Sequence, residues 1–86
     1  MVNAKEYVDR KARGMLEVMR FQTILTSAEE PENWNFKHIQ YNIFGESKKL
    51  EGFCRLAQRV GINCEEYLQE ARELRQPYLK FWARVA

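Results

Sequence analysis

An all-α fold, a small antiparallel bundle of three main helices, is predicted by three features of the sequence. Between Gly61 and Val85 the apolar residues Cys64, Tyr67, Ala71, Leu74, Tyr78, Phe81 and Val85 recur in alternating steps of three and four. That is the period of one helix face, and Leu68 and Trp82 widen the seam to a stripe that can meet two neighbours. The second feature is a helix-start signal written twice. Asn3 with Glu6, and Asn63 with Glu66, have capping-box spacing, and Val2 with Tyr7 and Ile62 with Tyr67 stand where hydrophobic staples belong. Third, Gly61 suits the left-handed residue that stops a helix, with Ile62 next in a Schellman arrangement. A link this short makes the helices on either side of it antiparallel neighbours.

The first helix is expected from Ala4 to about Leu25. Ala4, Val8, Ala12, Met15, Val18, Met19 and Leu25 share one face of the wheel, with Phe21 and Ile24 pointing off it. The opposite face is charged, and Glu6–Arg10 and Asp9–Arg13 are i,i+4 pairs with the acid first, the better orientation. The starts VNAKEYV and INCEEYL are alike, but the likeness slips within two turns, so we read one capping solution used twice rather than a duplication.

Residues 26–35, TSAEEPENWN, form the connection. Ser27 and Glu30 fit a capping box, Pro31 allows only a short turn, and Trp34 is placed to anchor the loop on the bundle. The second helical region is expected from about Asn35 to Val60. Phe36, Ile39, Ile43, Leu50, Phe53, Ala57 and Val60 hold one frame, which favours a single helix kinked at Gly45 over two shorter helices meeting there. In the third helix Pro77 should bend the rod or open a new turn, yet Leu74 and Tyr78 keep the seam across it.

The chain of 86 residues allows one domain, and a domain of this size buries only about 60–65% of its unfolded surface. Its formal net charge of +2 argues against affinity by blanket phosphate neutralisation while leaving room for a local basic patch. No apolar run is long enough to span a membrane, and the charged start lacks the apolar core of a signal peptide. The expectation is a cytoplasmic protein with no membrane partner. Cys54 and Cys64 are then free, buried thiols. On a helical register counted from Gly61, Cys64 falls roughly 6–7 Å away from the level of Cys54.

Catalytic equipment is missing from the pattern. His38 is the single histidine, Ser27 and Ser47 are the only serines, and four scattered glycines make no phosphate loop. Two cysteines ten residues apart and one histidine match no zinc spacing, and Glu29, Glu30 and Glu32 lack the glycine of a calcium loop. The reading is no enzyme, no metal and no cofactor. Lys48, Arg55 and Arg59 line up with Gly52 on the outward face of the second helix, with Trp34 nearby; Tyr41 and Phe44 come earlier on that side, or are rotated into the core by the kink at Gly45. Arginines beside aromatics make a protein-interface hot spot or a stacking surface for nucleic acid. The leading expectation is therefore a protein-binding module: an adaptor, a regulator, or an inhibitor of the type carried by viruses or mobile elements. It acts on another protein through Trp34, Tyr41, Phe44, Lys48, Arg55 and Arg59. Nucleic-acid binding by the same face is the alternative. A self-assembling structural protein is the second alternative, in which the acids Glu65, Glu66, Glu70 and Glu73 pair with that basic line in a homo-oligomer.

Overall fold

The computed structural model describes residues 3–80. Helix α1 spans Ala4–Ser27, and α2, a single turn, spans Phe36–Ile39. A π turn at Gln40–Phe44 joins α2 without a break to α3, Gly45–Arg59; α4 spans Glu65–Arg75. Short 3₁₀ turns stand at Pro31–Asn33 and Gln76–Tyr78. No strand occurs among the described residues, and three helices pack together as an all-α bundle. Cross-helix partners give the directions. Asp9–Tyr67, Arg20–Glu70 and Thr23–Tyr78 advance together, so α1 and α4 run parallel. The α3 residues Ser47 and Glu51 meet Arg75, near the far end of α4, so α3 runs antiparallel to both.

Helix starts follow the sequence closely. Asn3 Oδ1 accepts the Glu6 backbone N–H at 2.8 Å, satisfying one of the four free donors of the first turn. The Val2 half of the expected staple lies outside the described residues. Asn63 stands one residue before the N-cap, which is Cys64; its Oδ1 accepts the Glu65 N–H at 2.9 Å, and Cys64 O receives Tyr67 and Leu68. The fourth helix thus begins one residue later than the Asn63–Glu66 box implies. At the turn before it Gly61 has φ of 83°; Ile62 N–H bonds Ala57 O at 3.0 Å and Gly61 N–H bonds Gln58 O at 3.0 Å. These are the two bonds of a Schellman motif, and a side chain at that φ would be strained. Ser27, in contrast, caps nothing. It lies inside α1, where its hydroxyl donates to Ile24 O at 3.0 Å.

The core consists of Val8, Ala12, Leu16 and Met19 from α1, Ile39 and Ile43 before α3, Leu50, Cys54 and Ala57 from α3, and Cys64, Ala71 and Tyr78. Tyr67, Leu68 and Leu74 are half-buried against it, so the seam of the last helix is real through Tyr78. Phe81, Trp82 and Val85, its expected continuation, lie outside the described residues. Two expectations for α1 are corrected. Leu16, absent from the predicted face, is fully buried, whereas Ala4, Val18 and Leu25 are exposed. The expected Glu6–Arg10 and Asp9–Arg13 pairs are not among the ion pairs of the described residues; Lys5 takes Asp9 at 3.0 Å instead. The second helix also departs from its predicted frame: Ser47 and Cys54 are buried, Phe36 and Val60 exposed.

Both expected irregularities occur, each as a tightened or loosened turn. The Gly45 N–H reaches back five residues to Gln40 O, and a Cβ on Gly45 would stand 3.2 Å from that same oxygen. The helical path therefore continues through this point, loosened by one extra residue. Pro77 has no N–H for a helical bond, and the chain tightens there to a 3₁₀ turn closed by Leu79 N–H on Gln76 O.

Polar ties fasten the helices. Tyr67 donates its hydroxyl to Asp9 at 2.7 Å, linking α4 to the start of α1. Arg75 places one nitrogen 3.0 Å from buried Ser47 Oγ and 2.9 Å from Glu51 Oε1, linking α4 to α3. Arg20 pairs with Glu70. The bonds from Tyr67 and Lys5 hold the Asp9 carboxyl below the usual carboxylate range. A carboxylate so depressed stabilises the fold above its unfolded pKa, and that contribution is lost as pH falls through the folded value. Tyr67→Phe is accordingly expected to move the Asp9 pKa upward toward 3.8, followed by carboxyl NMR titration. It should leave the acid unfolding midpoint at a higher pH.

Candidate functional site

The outward face of α3 is built from residues that the helix period sets opposite Leu50, Cys54 and Ala57. Lys48, Gly52, Arg55 and Arg59 succeed one another along it at steps of four, three and four. All four are exposed. The neighbouring charges are already committed: Lys49 pairs with Glu46 at 3.1 Å, and Glu51 pairs with Arg75. Lys48, Arg55 and Arg59 enter no ion pair among the described residues. Gly52 sits mid-line with nothing within 4 Å of where a Cβ would be, so the backbone is open to an approaching group. Arg55 also overlooks a groove of about 460 Å³ between α3 and α4, where Arg72 and Arg75 are balanced by Glu65 and Glu51.

The six residues singled out from the sequence separate into two groups. Tyr41 is 64% exposed, a surface aromatic on the π turn that leads into α3. Phe44 is half-buried against the core, because the π turn rotates it inward. Trp34 is also turned to the core. Its ring meets Tyr78 edge-on with centroids 5.0 Å apart, and its indole N–H donates to Glu29 O at 3.1 Å. Trp34 thus anchors the connection to the bundle, as its position in the loop suggested.

The surface holds two further apolar residues that the sequence reading did not include. Leu56 is 59% exposed and Val60 is 72% exposed. Leu56 lies one turn beyond Gly52, beside the basic line, and Val60 sits at the helix end. The sequence carries a signal for Leu56, which occupies no seam position; Val60 fits the seam frame and gives none. It escapes burial because the helix ends at Arg59 and the chain turns away at Gly61.

No group of three His, Cys, Asp or Glu side chains placed to hold a metal ion occurs among the described residues. His38 is exposed in the first turn of α2, its backbone N–H bonded to Asn35 Oδ1 at 3.1 Å. Cys54 and Cys64 are free and buried. Burial, with the neighbouring Cys64 thiol adding to it, pushes the Cys54 thiol up to about 12. Cys64 precedes α4 instead of lying within it, and so stands against Cys54 and not at the offset level that a helical register from Gly61 predicts. A thiol this hard to ionise is a poor nucleophile. Cys54 is expected to resist a disulfide reagent at pH 8 until denaturant is added; rapid native-state labelling would contradict its placement.

No helix of the described residues is long and apolar enough to cross a membrane. No protein-family model matches the chain, and comparison with curated proteins and with solved structures finds no match.

Proposed function

We propose that this chain is a protein-binding module, not an enzyme, acting in the cytoplasm as an adaptor, regulator or inhibitor by covering a partner's surface with the outer face of α3. The observation that supports this reading is one face of α3 carrying three cations that enter no ion pair among the described residues, Lys48, Arg55 and Arg59, with exposed Leu56 beside them, Val60 at the helix end and exposed Tyr41 on the turn before. Cations beside aliphatic side chains suit a protein segment that presents carboxylates next to apolar residues. The arginines and tyrosine supply the anchors, and the aliphatics exclude water around them. Phosphate backbones would use the cations but leave Leu56 and Val60 facing solvent. Nucleic-acid binding, with Tyr41 stacking on a base, is therefore the second reading.

The test is capture from nuclease-treated extract of the source cell by the immobilised full chain, at low and at physiological salt. A protein retained by the parent chain at both salts, and lost by Leu56→Asp and Arg55→Ala, supports the reading. Both variants should keep the helical circular dichroism of the parent, since neither side chain is buried. Capture seen only from extract not treated with nuclease, or that falls steeply with salt, favours nucleic acid instead. Capture unaffected by either substitution removes α3 from the account.

A further inference from the structure

The side of α1 that faces away from the core carries a second surface, independent of the one on α3. In its last two turns Phe21 is 59% and Ile24 66% exposed, with Val18 and Leu25 exposed beside them. Taking ~200 Å² for each large side chain, these exposures amount to roughly 400 Å² of apolar surface on a small domain. In its first half the same side is a notch of about 540 Å³, lined by Glu6, Asp9, Arg10, Arg13, Gly14 and Glu17. Gly14 makes the notch: nothing lies within 4 Å of where its Cβ would be.

We propose that this face pairs with a second copy of the chain, α1 against α1, antiparallel about a two-fold axis that meets the outer side of α1 at the level of buried Met19. The register follows from complementarity of shape. Gly14 and Ile24 lie equally far from Met19 along the helix, so the pairing sets Ile24, the most exposed aliphatic of α1, over the notch of the other copy. Phe21 then packs across the axis. Charge agrees with the same register. Arg10 lies about 14 Å from the centre on one side, and Ala28 the same distance on the other. Beyond Ala28 come Glu29 and Glu30, at a helix C-terminus with no basic residue in its last turn. Arg10 and Glu29 enter no ion pair among the described residues, so each has an empty role that the other copy's residue fills. Two such faces cover about 800 Å² of apolar surface, and the charged flanks bring the pair to the ~1,000 Å² a specific contact needs.

Sedimentation equilibrium of the full chain across two decades of concentration tests this. The parent chain should pass from monomer to dimer, and Phe21→Glu should stay monomeric with unchanged helical circular dichroism. Arg10→Glu and Glu29→Arg should each weaken pairing at least tenfold, because each sets like charges opposite one another. An equimolar mixture of those two variants should dimerise again, since each restores the other's pairing. A parent chain that is monomeric throughout overturns the proposal, as does a dimer that survives Phe21→Glu. Failure of the mixed variants to pair while the parent dimerises overturns the antiparallel register. None of these outcomes bears on α3, so the two surfaces stand or fall separately.

Discussion

Replacing Leu16 by alanine is expected to lower the unfolding free energy by about 3–4 kcal/mol. Leu16 is fully inaccessible to solvent and sits in mid-helix, between Ala12 and Met19 on the face that carries the core. The small Ala12 one turn before it cannot move to fill the space, so the lost transfer energy and the cavity add. For a domain of this size each kcal/mol shifts the midpoint by roughly 4–8 °C. The expected fall exceeds 12 °C by about the same reasoning, read by thermal circular dichroism. Val18→Ala, two residues away on the exposed side, should change it little.

Tyr78→Ala should be comparably severe, at about 3–5 kcal/mol. Tyr78 is almost wholly buried, packs edge-on against Trp34 and donates its hydroxyl to Thr23 O at 3.3 Å. One side chain thus holds the end of α1, the 28–35 connection and the 3₁₀ turn at Pro77 together. Burial raises the Tyr78 hydroxyl pKa, which keeps it a donor at any ordinary pH. Tyr78→Phe retains the ring contact and should cost only about 1 kcal/mol, the net worth of one hydrogen bond. Denaturant titration of the two variants separates ring packing from the hydroxyl. A Phe variant as unstable as the Ala variant would assign the effect to the bond.

What the sequence made legible was local. The Asn3 cap, the Gly61 stop and the seam from Cys64 to Tyr78 are each specified by residues within one or two turns, and each was found where expected. Failures came where a helix meets something distant. Met15 and Leu16 fit the first helix wheel almost equally, and only the positions of α3 and α4 decide that Leu16 goes inside. Asp9 could pair with Arg13 or Lys5 from spacing alone; Tyr67, 58 residues away, fixes its carboxylate where Lys5 reaches it. The π turn is the deepest omission. One extra residue in a helical turn changes the way its members face, and Tyr41 and Phe44, both inside that turn and adjacent on a regular wheel, part company. Gly45 marked the place but not the sense of the change.

The candidate site was legible in its charges and not in its apolar members. Lys48, Arg55 and Arg59 needed only the period of α3. Leu56 and Val60 needed to be known as exposed, and an aliphatic residue in a helix is assigned to a core by default. Their exposure moves the balance from a phosphate-binding surface toward a protein-binding one.

The most direct test of that assignment is photo-crosslinking from position 56 in the source cell. The full chain would carry benzoylphenylalanine in place of Leu56, with the same group at exposed Gln69 on α4 as control. The account predicts a discrete protein adduct from position 56 that resists nuclease and is absent from position 69. An adduct sensitive to nuclease, or no adduct from position 56, would contradict it.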